Sequence, residues 1–355
     1  MGLKIISNSN QPTSFKIKNI VAIAAGKGGV GKSTVAVNLA LAFMQQGYRV
    51  GLLDADVYGP SILQMLPKGI WPVQDPGDPE RILPGLTLGL KMISTAHFRN
   101  EQEGAIVRAP IANSIITQFL QQVNWGDLDY LIIDFPPGTG DIQLTLMQQA
   151  TISGAVMVTT PQEVALIDVR KSMQMFQKLQ VPLLGVIENM SFFIHPATEE
   201  KHFPFGSGGG KKLADEFEIP YLGQIPIDGF LSRCGDLGES IFSTPNSTAA
   251  LLFDGFAKKI GEALSSTDKE AVKGIQRGDD SFTLQWSDGA TSSYLYKELQ
   301  KHCPCAACQD RSRSNTAVSA VDISRVGHYG LKIVFTSGCS KGIFTLSFLR
   351  KWANL

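Results

Sequence analysis

Charge is scarce and balanced in this 355-residue chain. Only 18 % of its residues are Asp, Glu, Lys or Arg, 32 basic against 32 acidic. No broad basic face is therefore expected, and neither nucleic acid nor membrane is an expected partner. Long apolar runs are also missing. The longest uncharged stretch near the start, Ser33 to Tyr48, is broken by Asn38, Gln45 and Gln46, and a bilayer span needs ~20 mostly apolar residues. The first 20 residues have no apolar core of a secretory signal, and Lys4, Lys16 and Lys18 are scattered through them. A cytoplasmic protein with a polar N-terminal tail over 1–18 is expected. Cysteine is rare as well: Cys234, Cys303, Cys305, Cys308 and Cys339. An odd number with three packed into one short cluster is a poor disulfide framework, so in a reducing compartment the cluster points to a metal.

What the chain does have is ample apolar material, 43 % of residues, enough for a globular core. Short runs rich in Val and Ile recur at 20–25, 50–56, 129–135, 154–160 and 183–190. They read as strands buried on both faces of a parallel sheet. The segments 33–46, 111–123, 162–179 and 209–217 can supply the crossover helices. An α/β domain with a doubly wound, mostly parallel sheet is expected over 19–264. The texture turns polar over 265–280, which reads as a linker. From 281 to 355 a period-two pattern surrounds Asp288-Gly289, a hairpin signal, and 331–338 and 342–349 read as further strands. This would be a small β-rich module for which a metal staple makes physical sense.

The strongest motif is Gly26-Lys27-Gly28-Gly29-Val30-Gly31-Lys32-Ser33, followed by Thr34. It satisfies G-x-x-x-x-G-K-S after an apolar strand and before a helical stretch, the context of a P-loop ATPase. Its glycines let successive N–H groups cradle phosphate, and the helix N-terminus adds its dipole. Lys32 is expected to reach the β- and γ-phosphates of ATP and Ser33 to ligate Mg²⁺. Asp54 and Asp56 end the second strand run and Asp134 ends another. Asp134 has the place of a magnesium-holding carboxylate. Asp56 is favoured to position the attacking water and Asp54 to join the magnesium shell, although spacing alone does not choose between them. The loop 136–141 has the place of a γ-phosphate sensor.

The second lysine, Lys27 in KGGVGKST, gives a loop that resembles the deviant Walker A of the MinD/ParA-type ATPases. That resemblance implies a homodimer sandwiching nucleotide, with Lys27 contacting the partner's phosphates. Longer strings narrow the family: LLDADVYGPS (52–61), DYLIIDFPPGTGD (129–141), TTPQEVALIDVRKSMQMF (159–176), ENMSFF (188–193), FGSGGG (205–210) and LGQIPID (222–228). In this order, across about 20–245, they resemble the Mrp/ApbC iron–sulfur cluster carrier ATPases. The resemblance implies slow ATP hydrolysis coupled to maturing apo iron–sulfur proteins. It also implies that Asn189 reads adenine, with a buried asparagine satisfying a strand end as the alternative. Two departures stand out. The family's Cys-Pro-x-Cys pair, which bridges a cluster across the dimer, is here His195-Pro196-Ala197-Thr198; thiolates are the ligands such clusters demand, so the bridging site is expected to be lost. The accessory domain that precedes the first strand in many members is not expected either.

Cys303, Cys305, Cys308 and Cys339 form C-x-C-x₂-C followed by a distant fourth thiolate. Four thiolates close a tetrahedral structural Zn²⁺ site. TLQWSDG (283–289), the cysteine cluster and FTSGCSKGIF (335–344) resemble the small N-terminal-type domain of γ-butyrobetaine hydroxylase, with Cys339 where histidine is common. The resemblance and the C-x-C bite favour zinc; an iron–sulfur cluster on the same four cysteines is the alternative.

Overall fold

The computed structural model describes residues 17–98, 109–269, 272–303, 318–326, 330–336, 339 and 342–352. It divides after Gly261 into two compact units. In the first, β1 (Ile17–Ala25), β2 (Val50–Asp54), a hairpin of β3 (Val73–Asp75) and β4 (Asp78–Leu83), β5 (Gly85–Thr87), β6 (Leu90–Ser94), β7 (Leu128–Asp134), β8 (Gly154–Thr159) and β9 (Leu183–Glu188) are followed by a short hairpin of β10 (Phe193–Ile194) and β11 (Lys201–His202), then β12 (Tyr221–Gln224). The helices between and after them are α1 (Lys32–Gln45), α2 (Ala109–Gln122), α3 (Asp141–Gln149), α4 (Glu163–Lys178), α5 (Gly209–Glu216), α6 (Gly229–Leu237) and α7 (Thr248–Lys269).

Eight strands form one sheet in the order β12-β9-β8-β1-β7-β2-β6-β5. All pairs are parallel except β5 with β6. The expected doubly wound α/β architecture is what the chain adopts. The apolar runs make central strands because helices cover both faces, leaving β2 and β8 buried at every position. From β1 the chain crosses to β2 on one side, and from β7 to β8 on the other. The crevice at the carboxyl ends of β1 and β7 is therefore the topological switch point, where sheets of this kind bind ligands. Among the described residues, no helix is long and apolar enough to cross a membrane.

The second unit holds two three-stranded antiparallel sheets. One is built from β13 (Val272–Arg277), β14 (Ser281–Trp286) and β15 (Thr291–Leu295), which leads into α8 (Tyr296–Lys301). The other is built from β16 (Ala320–Val326), β17 (Gly330–Phe335) and β18 (Gly342–Thr345), which leads into α9 (Leu346–Trp352). Phe282, Leu284, Trp286, Tyr294, Ile333 and Phe344 pack in its core beside Cys303 and Cys339. The β14–β15 hairpin turns through Gly289 at φ +88°, as the Asp-Gly pair requires.

Two expectations need correction, and one set of strands is new. Residues 265–280 are not a plain linker: α7 runs on to Lys269 and β13 covers Val272–Arg277. No glycine or proline stands between Leu264 and Val272 to stop the helix, and Val272 is buried opposite Trp286. The run 342–349 is a strand only to Thr345; Leu346 and Leu349, both buried, have helical spacing and face inward from α9. Strands β3 to β6 were not anticipated, because Pro76, Pro79 and the charged residues around them hide the alternation.

Candidate functional site

Residues 26–31 turn from β1 into α1, with Gly29 and Gly31 at φ +80° and +82°, a conformation that costs a side-chain-bearing residue. Gly26 lies so close to α4 that a Cβ there would stand 2.2 Å from the backbone of Asp168 and Val169. Gly31 is packed in the same way against Asn189, whose Nδ2 would be 2.1 Å from a Cβ. The loop's shape is thus fixed by close backbone approach, and Gly28 and Gly29 face open space. Lys27 is partly exposed, and Val30 is buried with its carbonyl accepting from Asn189 Nδ2 at 2.9 Å. The main chain of Thr34, at the start of α1, accepts from Asn38 Nδ2 at 2.8 Å.

Parallel register brings the acidic groups together. Asp54 is paired with Asp134 across β2 and β7, and both side chains are fully buried. Lys32 Nζ donates to Asp134 Oδ1 at 2.6 Å, and Ser33 Oγ donates to Asp134 Oδ2 at 2.6 Å. Asp54 accepts from Ser94 Oγ at 2.9 Å and from the Asp56 amide at 3.2 Å. Asp56 is partly exposed, and its Oδ1 accepts the Gly59 amide at 3.1 Å. Burial, reinforced by the neighbouring Asp134 charge, pushes the Asp54 carboxyl up to about 7. Burial pushes Asp134 upward too, with Lys32 and Ser33 pulling against it. Two buried carboxyls facing one lysine leave a deficit of positive charge among hard oxygen donors. That donor set suits Mg²⁺.

A cavity of 1310 Å³ opens from the end of the loop, where Gly31 and Thr34 line it, along Asn189, Met190, Pro226 and Asp228. Met190 holds φ +53° just after Asn189, in a region non-glycine residues seldom occupy. The structure therefore brings Gly26 to Thr34, Asp54, Asp56, Asp134 and Asn189 to one end of the sheet. Sequence reasoning missed Ser94 and the Pro226–Asp228 wall. Ser94 ends β6 in register with Asp54, a relation visible only once 90–94 is read as a strand.

The 195–198 stretch forms the turn joining β10 and β11. His195 Nδ1 accepts the amides of Ala197 and Thr198, both at 3.3 Å, so its bare nitrogen closes the turn and no thiolate stands there. In the second unit, the sulfurs of Cys303 and Cys339 are 3.6 Å apart. Two thiolates on one tetrahedral zinc with Zn–S bonds of ~2.3 Å stand about 3.8 Å apart, so this pair fits zinc. A Cβ on Gly342 would lie 2.6 Å from Cys303 Sγ, so glycine leaves the thiol its room. Cys305 and Cys308 lie outside the described residues. Cys234 is buried on α6.

Fold and loop together define a P-loop NTPase of the MinD/ParA kind. The fold is shared with the cell-division ATPase MinD of Pyrococcus furiosus, at TM-score 0.50 and 23 % identity over 69 % of this chain and 99 % of that one. The chain belongs to the family described as ParA: NUBPL iron-transfer P-loop NTPase, which matches residues 16–261. It is 49 % identical over 254 residues to the "Iron-sulfur cluster carrier protein" of Synechocystis sp., covering 70 % of this chain and 72 % of that protein. A nucleotide-binding protein from Archaeoglobus fulgidus solved in complex with ADP is 40 % identical, with TM-score 0.54, over 62 % of this chain and 87 % of its own. Residues 274–350 match the γ-butyrobetaine hydroxylase-like N-terminal domain.

The raised Asp54 carboxyl has a measurable consequence in protein free of nucleotide and magnesium. The folded state holds that proton up to about pH 7, whereas an unfolded aspartate releases it near ~4. Between those limits the native state binds more protons, so the site's contribution to stability falls as pH rises through the window. Asp54→Asn removes the charge, and its Tm gain over the unmodified chain is expected to be larger at pH 8 than at pH 5, by about 2–6 °C. Thermal unfolding at the two pH values checks this; equal gains at both would contradict it.

Proposed function

We propose that this chain is an ATP-binding and ATP-hydrolysing factor that helps mature apo iron–sulfur proteins, working as a homodimer in the cytoplasm. The observation that carries the nucleotide half is the Lys32–Asp134–Ser33 cluster at the mouth of the glycine loop. The carrier names of relatives similar over most of the first unit support the iron–sulfur half over a positioning role of the MinD kind. The balanced charge supports partners other than nucleic acid or membrane.

Lys32 is ion-paired with Asp134. Arriving phosphates offer the ammonium a stronger anionic partner, so Lys32 turns to the β- and γ-phosphates and releases Asp134. Ser33, Asp134 and Asp54 would then hold Mg²⁺, which offsets phosphate charge. The N–H groups of Gly28 to Ser33 cradle the phosphates at the dipole-positive start of α1. Asn189 and the wall at Pro226 receive the adenine. Asp56, partly exposed at the rim, orients the attacking water, and Lys27 reaches across to the nucleotide of the second copy. Catalysis of this kind is positioning plus charge stabilisation.

The C-terminal thiolates Cys303, Cys305, Cys308 and Cys339 hold zinc as a structural staple; an iron–sulfur cluster is the competing occupant. With His195 and Thr198 in place of thiolates, the dimer acts on its clients without a bridging cluster of the usual sort.

Lys32→Ala is expected to weaken ATP binding by about 100-fold or more, and unaltered affinity by calorimetry would contradict the loop assignment. Asp56→Ala is expected to keep ATP affinity while turnover falls about 100-fold; normal phosphate release would move the role to another residue. Iron, labile sulfide and zinc on anaerobically purified protein, beside a Cys303→Ser/Cys305→Ser variant, test the second unit. About one zinc per chain that disappears in the variant, without sulfide, is expected. Stoichiometric iron and sulfide lost in the variant would place a cluster there instead.

A further inference from the structure

The hydroxyl of Ser94 touches the carboxylate assigned above to magnesium. Ser94 is the last residue of β6, fully buried, and in parallel register with Asp54. Its Oγ accepts the Ala96 amide at 3.1 Å and donates to Asp54 Oδ2 at 2.9 Å. A hydroxyl has one proton to give, and here Asp54 receives it. The Ser94 amide in turn donates to Nδ1 of His97 at 3.1 Å, which makes that nitrogen the bare one. His97 is braced edge-on by Trp71, with ring centroids 5.3 Å apart. The turn 94–97 is thus tied at both its side chain and its main chain, and the serine proton can point in one direction only. Asp54's other oxygen is held by the Asp56 amide. The carboxylate is gripped at both ends by donors that belong to two different strand termini.

We propose that Ser94 is a positioning residue for the ATPase site, fixing the Asp54 carboxylate in the single orientation that serves the magnesium–nucleotide complex. This rests on the assignment of Asp54 made above. Without that donor the carboxylate would be held at one oxygen only, by the Asp56 amide, and would lose preorganisation. Ser94 itself touches neither nucleotide nor the reacting atoms, so its effect passes entirely through Asp54. The His97–Trp71 pair acts one step further out, holding the strand terminus that carries the serine.

The test compares Ser94→Ala, Asp54→Asn and the double variant with the unmodified chain. The first readout is equilibrium binding of ADP and of a non-hydrolysable ATP analogue, each with and without Mg²⁺; the second is kcat. Ser94→Ala is expected to bind metal-free nucleotide within about twofold of the unmodified chain. It should lose about tenfold of the tightening that magnesium provides, the size of one hydrogen bond to a charged group. Its kcat should fall by a similar factor. The double variant is expected to be no worse than Asp54→Asn alone, because the two residues act as one unit. Several outcomes would overturn the proposal: an intact magnesium effect in Ser94→Ala while Asp54→Asn is impaired, multiplicative losses in the double variant, or a loss of metal-free binding that marks Ser94 as a prop of the fold. An unimpaired Asp54→Asn would overturn the assignment of Asp54 itself, and the role of Ser94 with it.

Discussion

The buried contact between Lys32 and Asp134 organises the first unit. An ammonium and a carboxylate out of water are each costly alone, and here they meet because β1 and β7 are parallel neighbours in the sheet. The glycine loop delivers Lys32 from one strand and Asp134 ends the other. Asp54, one strand further along, adds a second carboxyl for which the lysine has no charge left. Two buried carboxyls therefore share a single ammonium.

The same logic explains why the loop must be glycine-rich. Gly26 and Gly31 give room to α4 and Asn189, whereas Gly28 and Gly29 face outward. The first pair sets how close the phosphate loop sits to the rest of the sheet, and the second leaves its amides open to a ligand. Asn189 performs a joint task, closing on the Val30 carbonyl while lining the cavity beside the loop.

Much of this was legible in the residues. The runs ending at Ala25, Asp54 and Asp134 are continuous and apolar, so strand identity and the carboxylates at their ends could be read directly. The phosphate loop announces itself by spacing. Residues 60–98 were not legible, because prolines and charges interrupt β3 and β4, and with them went β6 and Ser94. The polar text of 265–280 suggested a linker, but helices and edge strands need only the absence of a breaker and a few buried positions such as Val272. The turn at 195–198 shows the opposite case: its chemistry departs from the family pattern in sequence, and the structure shows His195 acting as a turn acceptor. In the second unit, alternation located the hairpin, whereas α9 needed the helical spacing of Leu346 and Leu349 to be weighed against its β-prone neighbours.

The most direct measurement is the activation of an apo iron–sulfur protein under anaerobic conditions, supplied with ferrous iron, sulfide and Mg-ATP, with and without the full chain. The chain is expected to speed the appearance of the client's cluster absorbance and activity when ATP is present. Lys32→Ala is expected to give no acceleration. An unchanged rate with the unmodified chain, or equal acceleration by Lys32→Ala, would contradict a nucleotide-driven role in iron–sulfur protein maturation.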